Sequence, residues 1–574
     1  MRPRMGAQLA MSGSADLRDG VVPQERVGTA VDEAGRTAAS TWRAFVVLAA
    51  VYLVVVVVLG LWMADRNGGD FAYPLDDPYI HLAIADNLVH HGTWGIEPGV
   101  FESASSSPVW TVLLAAGTVV LPVGDLWVPL VLTVASGLLL LWQIVRLDPF
   151  RRLGPVARWG GLVVACVPLG LLHVTFVGME HLLHAALVLA IVTRVGALTD
   201  GRSSAPARSV VLGLLALATV VRFETLFLAS GLAIVLALTA PAGTRAVARV
   251  RRALPVVVAS GIPLAGYAAV NIAFGQYVLP NSVVVKTSLG DDGGSGPVGT
   301  LFSAETYRNA VLELIKAPEV TVLVAGVIVL VFVTRRQPWA AWRVAGVGVV
   351  AATALNLLFG NLGWYGRYNV YLVAACYGVL LMVAADPPPE LARARRRAVP
   401  TFVLALVIVA APVQIYRASW LPTAGGEIYR QHGQMARFLA EHYDGQAVAV
   451  SDLGFVAWRH RGREVDLWGL ASVDVVRALR AGDYGPAFMD ELVELHDVQA
   501  IVIYDSWFEE MRDGIPATWV PVEEWCLDDD PQRVVGGKCV TWYGPTEADA
   551  TVLRERLDAD RSLPDGVTHR ALHK

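Results

Sequence analysis

Two adjacent carboxylates, Asp76 and Asp77, stand inside the stretch from Asp70 to Trp110, DFAYPLDDPYIHLAIADNLVHHGTWGIEPGVFESASSSPVW. A positioned carboxylate can take the proton from an attacking hydroxyl, so the pair is a candidate for general-base work. Pro78 follows and suits the first position of a helix, where its missing N–H does no harm. Ile80, Ala83, Ile84, Asn87 and Leu88 then recur at helical spacing, with His81, Asp86, His90 and His91 as the polar positions. The helix breaks at Gly92, Gly95 and Pro98-Gly99, and a serine run, Ser103 to Ser107, leads to Pro108. Acids at a helix start also complement its dipole. A polar, acid-rich loop of this length more often binds or catalyses.

Further charged residues interrupt apolar sequence. Glu180 lies in GMEHLLH between two apolar runs, with His181 and His184 beside it. A carboxylate at a membrane edge needs water or a partner. Arg222 and Glu224 break the run from Val210 to Leu238, which is too long for one span and too short for two with ordinary loops. The RFE segment is therefore expected as a tight turn, with Arg222 either paired to Glu224 or facing an anionic ligand. Lys286 sits in LPNSVVVKTSLG, Leu279 to Gly290. Tyr365, Arg367, Tyr368 and Tyr371 crowd the segment NLGWYGRYNVY. Arg222, Lys286 and Arg367 together could neutralise a phosphate. Interfacial tyrosines and snorkelling cations are the blander readings.

The elements that must carry these residues are membrane helices. The chain has 574 residues, 55% hydrophobic and 17% charged, and its mean hydropathy is +0.49. A net charge of −5 speaks against nucleic acid as a partner. Residues 1–40 are polar and expected as a disordered cytoplasmic tail. A first span runs from about Trp42 to Ala64, and others are expected near 126–145, 159–176, 181–198, 209–221, 224–240, 253–274, 317–334, 341–360, 368–386 and 398–417. The run 109–121 falls short of the ~20 residues a span needs.

Arginines cluster in alternate loops: Arg146, Arg151, Arg152 and Arg158; Arg202 and Arg208; Arg245, Arg249, Arg251 and Arg252; Arg335, Arg336 and Arg343; Arg393, Arg395, Arg396 and Arg397. Positive-inside bias makes those loops cytoplasmic, and the acidic loop 65–108 extracytoplasmic. The alternation predicts about eleven spans with the N-terminus inside, a multi-pass protein of the plasma membrane.

Residues 41–417 thus form the membrane domain, and 418–574 lie outside the membrane as a small α/β domain. In that domain Ala447 to Val450 and Val498 to Tyr504 read as strands, and Val473 to Ala481 and Pro486 to His496 as helices. The charged segment from about Glu547 is expected to fray. Cys526 and Cys539 flank turn signals between two strand-forming segments, so they are expected to form a disulfide in an oxidising compartment.

No Walker loop, dinucleotide fingerprint or HExxH occurs in the sequence. An extracytoplasmic site that uses no nucleotide needs an activated donor already delivered across the membrane. At this point the chain resembles the GT-C superfamily of membrane glycosyltransferases, in particular the protein O-mannosyltransferase and aminoarabinose transferase relatives and the terminal arabinofuranosyltransferase of mycobacterial-type cell walls. The motifs carrying the resemblance start with Asp76-Asp77-Pro78-Tyr79 through Asn87-Leu88 to Gly92, then Ser105-Ser106-Ser107-Pro108-Val109-Trp110. Gly178, Glu180 and Leu183 follow, then Leu279-Pro280-Asn281-Ser282 with Lys286 downstream, and Arg367-Tyr368.

The resemblance implies transfer of a sugar (arabinofuranose, mannose or similar) from a polyprenyl-phosphate donor to a glycan, glycolipid or protein acceptor. Asp76 would be the base, with Asp77 and Glu180 beside it. The substrate-binding residues it implies are Tyr79, His81, Arg222, Glu224, Asn281, Lys286, Tyr365, Arg367 and Tyr368. A single displacement with inversion follows, since no covalent glycosyl intermediate is required. No cofactor is required by this scheme, and it leaves room for a divalent metal, Mg²⁺ or Mn²⁺, bridging Asp76, Asp77 and the phosphate. The rival class is a polyprenyl-linked lipid or sugar transporter or flippase, which would put its ionisable groups near the bilayer midplane.

Overall fold

The computed structural model describes residues 24–572, except 152–153, 201–202, 241–242, 287–303, 338, 386, 512–513 and 529–531. Among the described residues, six helices are long and apolar enough to cross a bilayer: Ala38–Asp65, Asp125–Leu147, Ala246–Ala273, Ala341–Phe359, Arg367–Ala385 and Leu404–His442. A seventh arises if Ala304–Lys316 and Pro318–Val333, bent by 102°, count as one span. Five shorter apolar helices, Pro108–Val120, Pro155–Leu169, His181–Arg194, Ala205–Val221 and Thr225–Leu238, have 10–17 residues.

The chain is a polytopic membrane protein, and the expected count of about eleven spans is not reached by length and composition. The difference lies at four of the expected spans, 159–176, 181–198, 209–221 and 224–240, where the helices have only 10–17 residues. Gly178–Glu180 and Arg222–Glu224 cut runs that look longer in sequence, and the run after Pro108 is a helix of 13 residues, as expected.

The first helix starts upstream of its apolar part, at Gln24. Residues 1–23 of the expected tail lie outside the described residues, while 24–40 are helical rather than disordered. Alanine, glutamate and arginine there extend a helix that the span has already nucleated. Inside the membrane domain, Thr225–Leu238 crosses Ala341–Phe359 through facing glycines. A Cβ on Gly231 would collide with the Gly348 carbonyl oxygen, so only a glycine lets the two backbones approach this closely.

Among the described residues, the C-terminal region carries six strands: β1 (Ala447–Val450), β2 (Glu464–Asp466), β3 (Val498–Ile503), β4 (Val520–Leu527), β5 (Cys539–Gly544) and β6 (Val567–Ala571). Their order is β2-β1-β3-β5-β4-β6. β1 runs parallel to β2 and β3, and the remaining pairings are antiparallel. Helices Val473–Ala481 and Pro486–Leu495 lie between β2 and β3 in the chain, where the sequence predicts them. Cys526 and Cys539 face each other across β4 and β5 and form the expected disulfide, with Cα atoms 4.1 Å apart.

The segment from Glu547 does not fray. Thr546 caps the helix Glu547–Ala559, and β6 pairs along β4, burying Ala550, Leu553 and Leu557. Here charged residues occupy the outer face of an amphipathic helix, which composition alone does not separate from a loose tail.

Candidate active site

The acidic pair heads the helix Asp77–His91, with Pro78 in its first turn and Gly92 closing it at φ 64°. Asp76 precedes the helix but makes no side-chain capping bond, so complementing the helix start is not what its carboxylate does. Its side chain instead points into the C-terminal domain. Oδ1 accepts from the Phe455 N–H at 2.9 Å and from His432 Nδ1 at 3.0 Å, and Oδ2 accepts from the Gly454 N–H at 2.5 Å. A Cβ on Gly454 would lie 2.6 Å from Asp76 Oδ2, so this approach requires glycine. The Tyr79 ring stacks on Phe455 with centroids 4.1 Å apart, extending the contact along the helix.

His432 sits in a widened helical turn, Tyr429–Gly433, of the π type that often marks functional positions. Its Nε2 lies 2.8 Å from the Tyr504 hydroxyl and 3.6 Å from Asp452 Oδ2. Tyr504 in turn donates to Gln431 Oε1 at 2.6 Å. Burial opposes the charge on Asp76, but the His432 imidazole and the surrounding donors outweigh it and hold the carboxyl below its ordinary value. Asp452 goes the other way: burial first, then the Asp76 charge, push it well above the carboxylate range. The two buried acids share a hydrogen bond, which drives their titration in opposite directions. Ligand atoms of Asp76, His432 and Asp452 lie within 4.8 Å of one another, a spacing that could take a cation. Backbone N–H groups already fill the Asp76 oxygens, so the three do not fit a metal as arranged.

Asp77 faces the membrane helices. Its Oδ1 is 3.0 Å from Arg367 Nη2, and its side chain is 23% exposed against 8% for Asp76. Arg367 is 1% exposed, donates to Met179 Sδ and Tyr368 Oη, and lies 4.9 Å from the Tyr368 ring centre. Trp364 and Tyr365 adopt positive φ values of 38° and 62° just before it, between Gly363 and Gly366, so the backbone that aims Arg367 is strained. On the other side of the Tyr368 ring, 5.4 Å from its centre, is Arg222. Arg222 closes the helix Ala205–Val221 and forms the expected tight turn. It pairs with Glu224 through Nε and Nη2, and with Glu180 through Nη1.

The turn carrying Glu180 is pressed against the acidic loop, since a Cβ on Gly178 (φ 69°) would meet the Tyr73 ring at 2.7 Å and Pro78 at 3.3 Å. His81 is buried close by and bonds Thr111 and Ser105.

Asp77, Arg367, Tyr368, Arg222, Glu180 and Glu224 thus form one continuous cluster, and Asp76 and Tyr79 belong to an adjoining one. Two other expected site residues are elsewhere. Asn281 links the first loop to the C-terminal domain, donating to Ala471 O at 2.8 Å while its N–H bonds Ser103 O. Tyr365 donates to Arg417 O, next to the buried Arg417–Glu319 pair. Lys286 ends the short helix Asn281–Lys286, and its side chain lies outside the described residues.

Sequence reasoning missed His432, Asp452 and Tyr504. One available signal was Ser451-Asp452-Leu453-Gly454 directly after a strand, since ligands and functional loops gather at the carboxyl ends of parallel strands.

Comparison with solved structures bears on this arrangement. ArnT from Cupriavidus metallidurans in the apo state superposes with a TM-score of 0.50 at 14% identity, covering 89% of this chain and 99% of that one. The chain has a GT-C fold. ArnT bound to undecaprenyl phosphate aligns with a TM-score of 0.47 at 12% identity, over 87% of this chain and 98% of that one. Arabinofuranosyltransferase AftD from Mycobacteria aligns at 0.39 and 14% identity, over 87% of this chain and 40% of that one. A domain family of unknown function, DUF8728, matches residues 426–543, the part of the chain that holds His432, Asp452 and Tyr504. No curated protein matches the sequence.

Proposed function

We propose that this GT-C chain transfers a sugar from a polyprenyl-phosphate donor to a hydroxyl of an extracytoplasmic glycan, lipid or protein acceptor, with inversion. The observation that carries the reading is the Asp77–Arg367 pair. A partly open carboxylate stands 3.0 Å from a buried guanidinium, with Tyr368 and Arg222 continuing the cluster. Asp77 takes the base role in place of Asp76, because the C-terminal domain surrounds the Asp76 oxygens and the Asp77 side chain is the more exposed of the pair, 23% against 8%.

Asp77 removes the acceptor hydroxyl proton as that oxygen bonds to the anomeric carbon. The bond from that carbon to the phosphate oxygen breaks, and the polyprenyl phosphate leaves with its electron pair. Arg367, fixed in place before the reaction, offsets the charge that develops on the leaving phosphate. Glu180 and Glu224 hold Arg222, which keeps the Tyr368 ring against Arg367. Undecaprenyl phosphate, the ligand of the ArnT complex, has the chemistry expected of the leaving group.

The test incubates purified protein with a panel of polyprenyl-phosphate sugars and measures released polyprenyl phosphate. Turnover by the wild type, and its loss in a folded Asp77→Asn variant, are expected. Equal turnover by Asp77→Asn refutes the assignment.

A further inference from the structure

The C-terminal domain meets the first loop at Asp70 through Tyr429 and at Glu97 through Arg463, and it surrounds Asp76 most completely. Asp76 receives two backbone N–H groups and an imidazole from it, all on a carboxylate whose neighbour in sequence is the open Asp77. The grip comes from two places in the domain, the loop after β1 and the widened turn at His432, and the Phe455 ring closes over Tyr79. Behind His432, Tyr504 and Gln431 fix the imidazole, and Asp452 bonds the same carboxylate. A grip on Asp76 holds the start of the helix Asp77–His91, and with it the direction in which Asp77 points. A displacement of 1 Å at such a position costs on the order of 10² in rate.

We infer that residues 451–455 and His432 are a positioning clasp for Asp76, through which the C-terminal domain completes the acidic site. The domain of unknown function is then a working part of the active site. The inference rests on the proposed transfer reaction for its kinetic arm only.

The clasp is tested in the full-length protein by hydrogen exchange of residues 71–79 and by donor kinetics. Gly454→Ala puts a methyl 2.6 Å from Asp76 Oδ2 and against the Asp76 carbonyl, so amide exchange of residues 71–79 should rise and kcat should fall on the order of 10², with the KM for donor unchanged. Gly485→Ala, whose methyl meets open space in the same domain, should leave both at wild-type values. His432→Leu should behave like Gly454→Ala. His432→Asn, which returns a donor near the Nδ1 position, should restore most of the loss and serves if Gly454→Ala does not fold.

Wild-type exchange of residues 71–79 in both Gly454→Ala and His432→Leu overturns the clasp, as does no rescue by His432→Asn. If the wild type releases polyprenyl phosphate from no donor, the transfer reaction falls alone, and the exchange data still decide the clasp.

Discussion

Removing the Arg222 guanidinium should damage the protein through Glu180. The Glu180 side chain is 0% exposed, its Oε1 is paired with Arg222, and its Oε2 has no partner. Arg222→Leu would therefore leave a buried carboxylate with nothing on either oxygen. Breaking one side of a buried pair costs about 3–5 kcal/mol. Glu224, a quarter exposed, can turn to water and adds at most about 1 kcal/mol. Arg222→Lys keeps the charge but cannot span both carboxylates with a rigid fork, and should cost about 1–2 kcal/mol. Arg222→Leu combined with Glu180→Leu removes the stranded charge and should recover most of the loss, leaving a coupling well above the few tenths of a kcal/mol expected of independent sites. The assay is denaturant or thermal unfolding of the detergent-solubilised protein, followed through tryptophan fluorescence. Wild-type stability in Arg222→Leu would refute the reasoning. So would simple additivity in the double variant, which would mean that Arg222 serves a ligand and not Glu180.

Asp76→Asn should lose turnover together with ordering of the first loop, whereas Asp77→Asn should lose turnover by about 10² while the loop stays ordered, as read by kinetics and hydrogen exchange. Replacing Cys526 and Cys539 by serine should cost about 3 kcal/mol in the chain-entropy model, and mass spectrometry of the unreduced wild type should find neither thiol alkylated. Burial, then the Glu97 charge, raises Glu102 from 4.5 to about 8, so the folded loop holds that proton more tightly than the unfolded chain does. Its contribution is present at low pH and is lost as pH rises from about 4.5 to about 8; the protection factors of residues 94–102, corrected for the intrinsic pH dependence of exchange, should fall over that window in the wild type but not in Glu102→Gln. A cysteine at Arg66 should react with an impermeant maleimide in intact cells and one at Gly154 should not; the reverse would place the site on the cytoplasmic side.

What was legible in the sequence follows the range over which each signal acts. Local signals held: the Pro78 start and Gly92 stop of the helix, the Arg222–Glu224 turn, strands β1 and β3, and the hairpin that pairs Cys526 with Cys539. Each depends on a handful of neighbouring residues. Of the charged motifs the sequence singles out, Asp77, Glu180, Arg222, Arg367 and Tyr368 lie together in the structure. The partner of Asp76 was not legible. His432 sits 356 residues away in an ordinary-looking QHGQ, and two of the other contacts are backbone N–H groups, which no side-chain pattern reports. Tyr365 misled for a related reason: an aromatic beside an arginine looks like a binding position, but its positive φ turns it toward Arg417.

The separation of Asp76 from His432 also sets a clock. Ribosomes add about 5–20 residues each second, so the 356 residues between them take roughly 20–70 s to appear. β1 needs β3 beside it, and β3 needs β5, so the sheet that presents residues 451–455 closes later still. During that interval the acidic loop is already made and its partner is not. On the clasp inferred above, a newly made chain lacks its assembled site until the last strands are synthesised, and a ribosome that stalls before them leaves Asp76 without its partners.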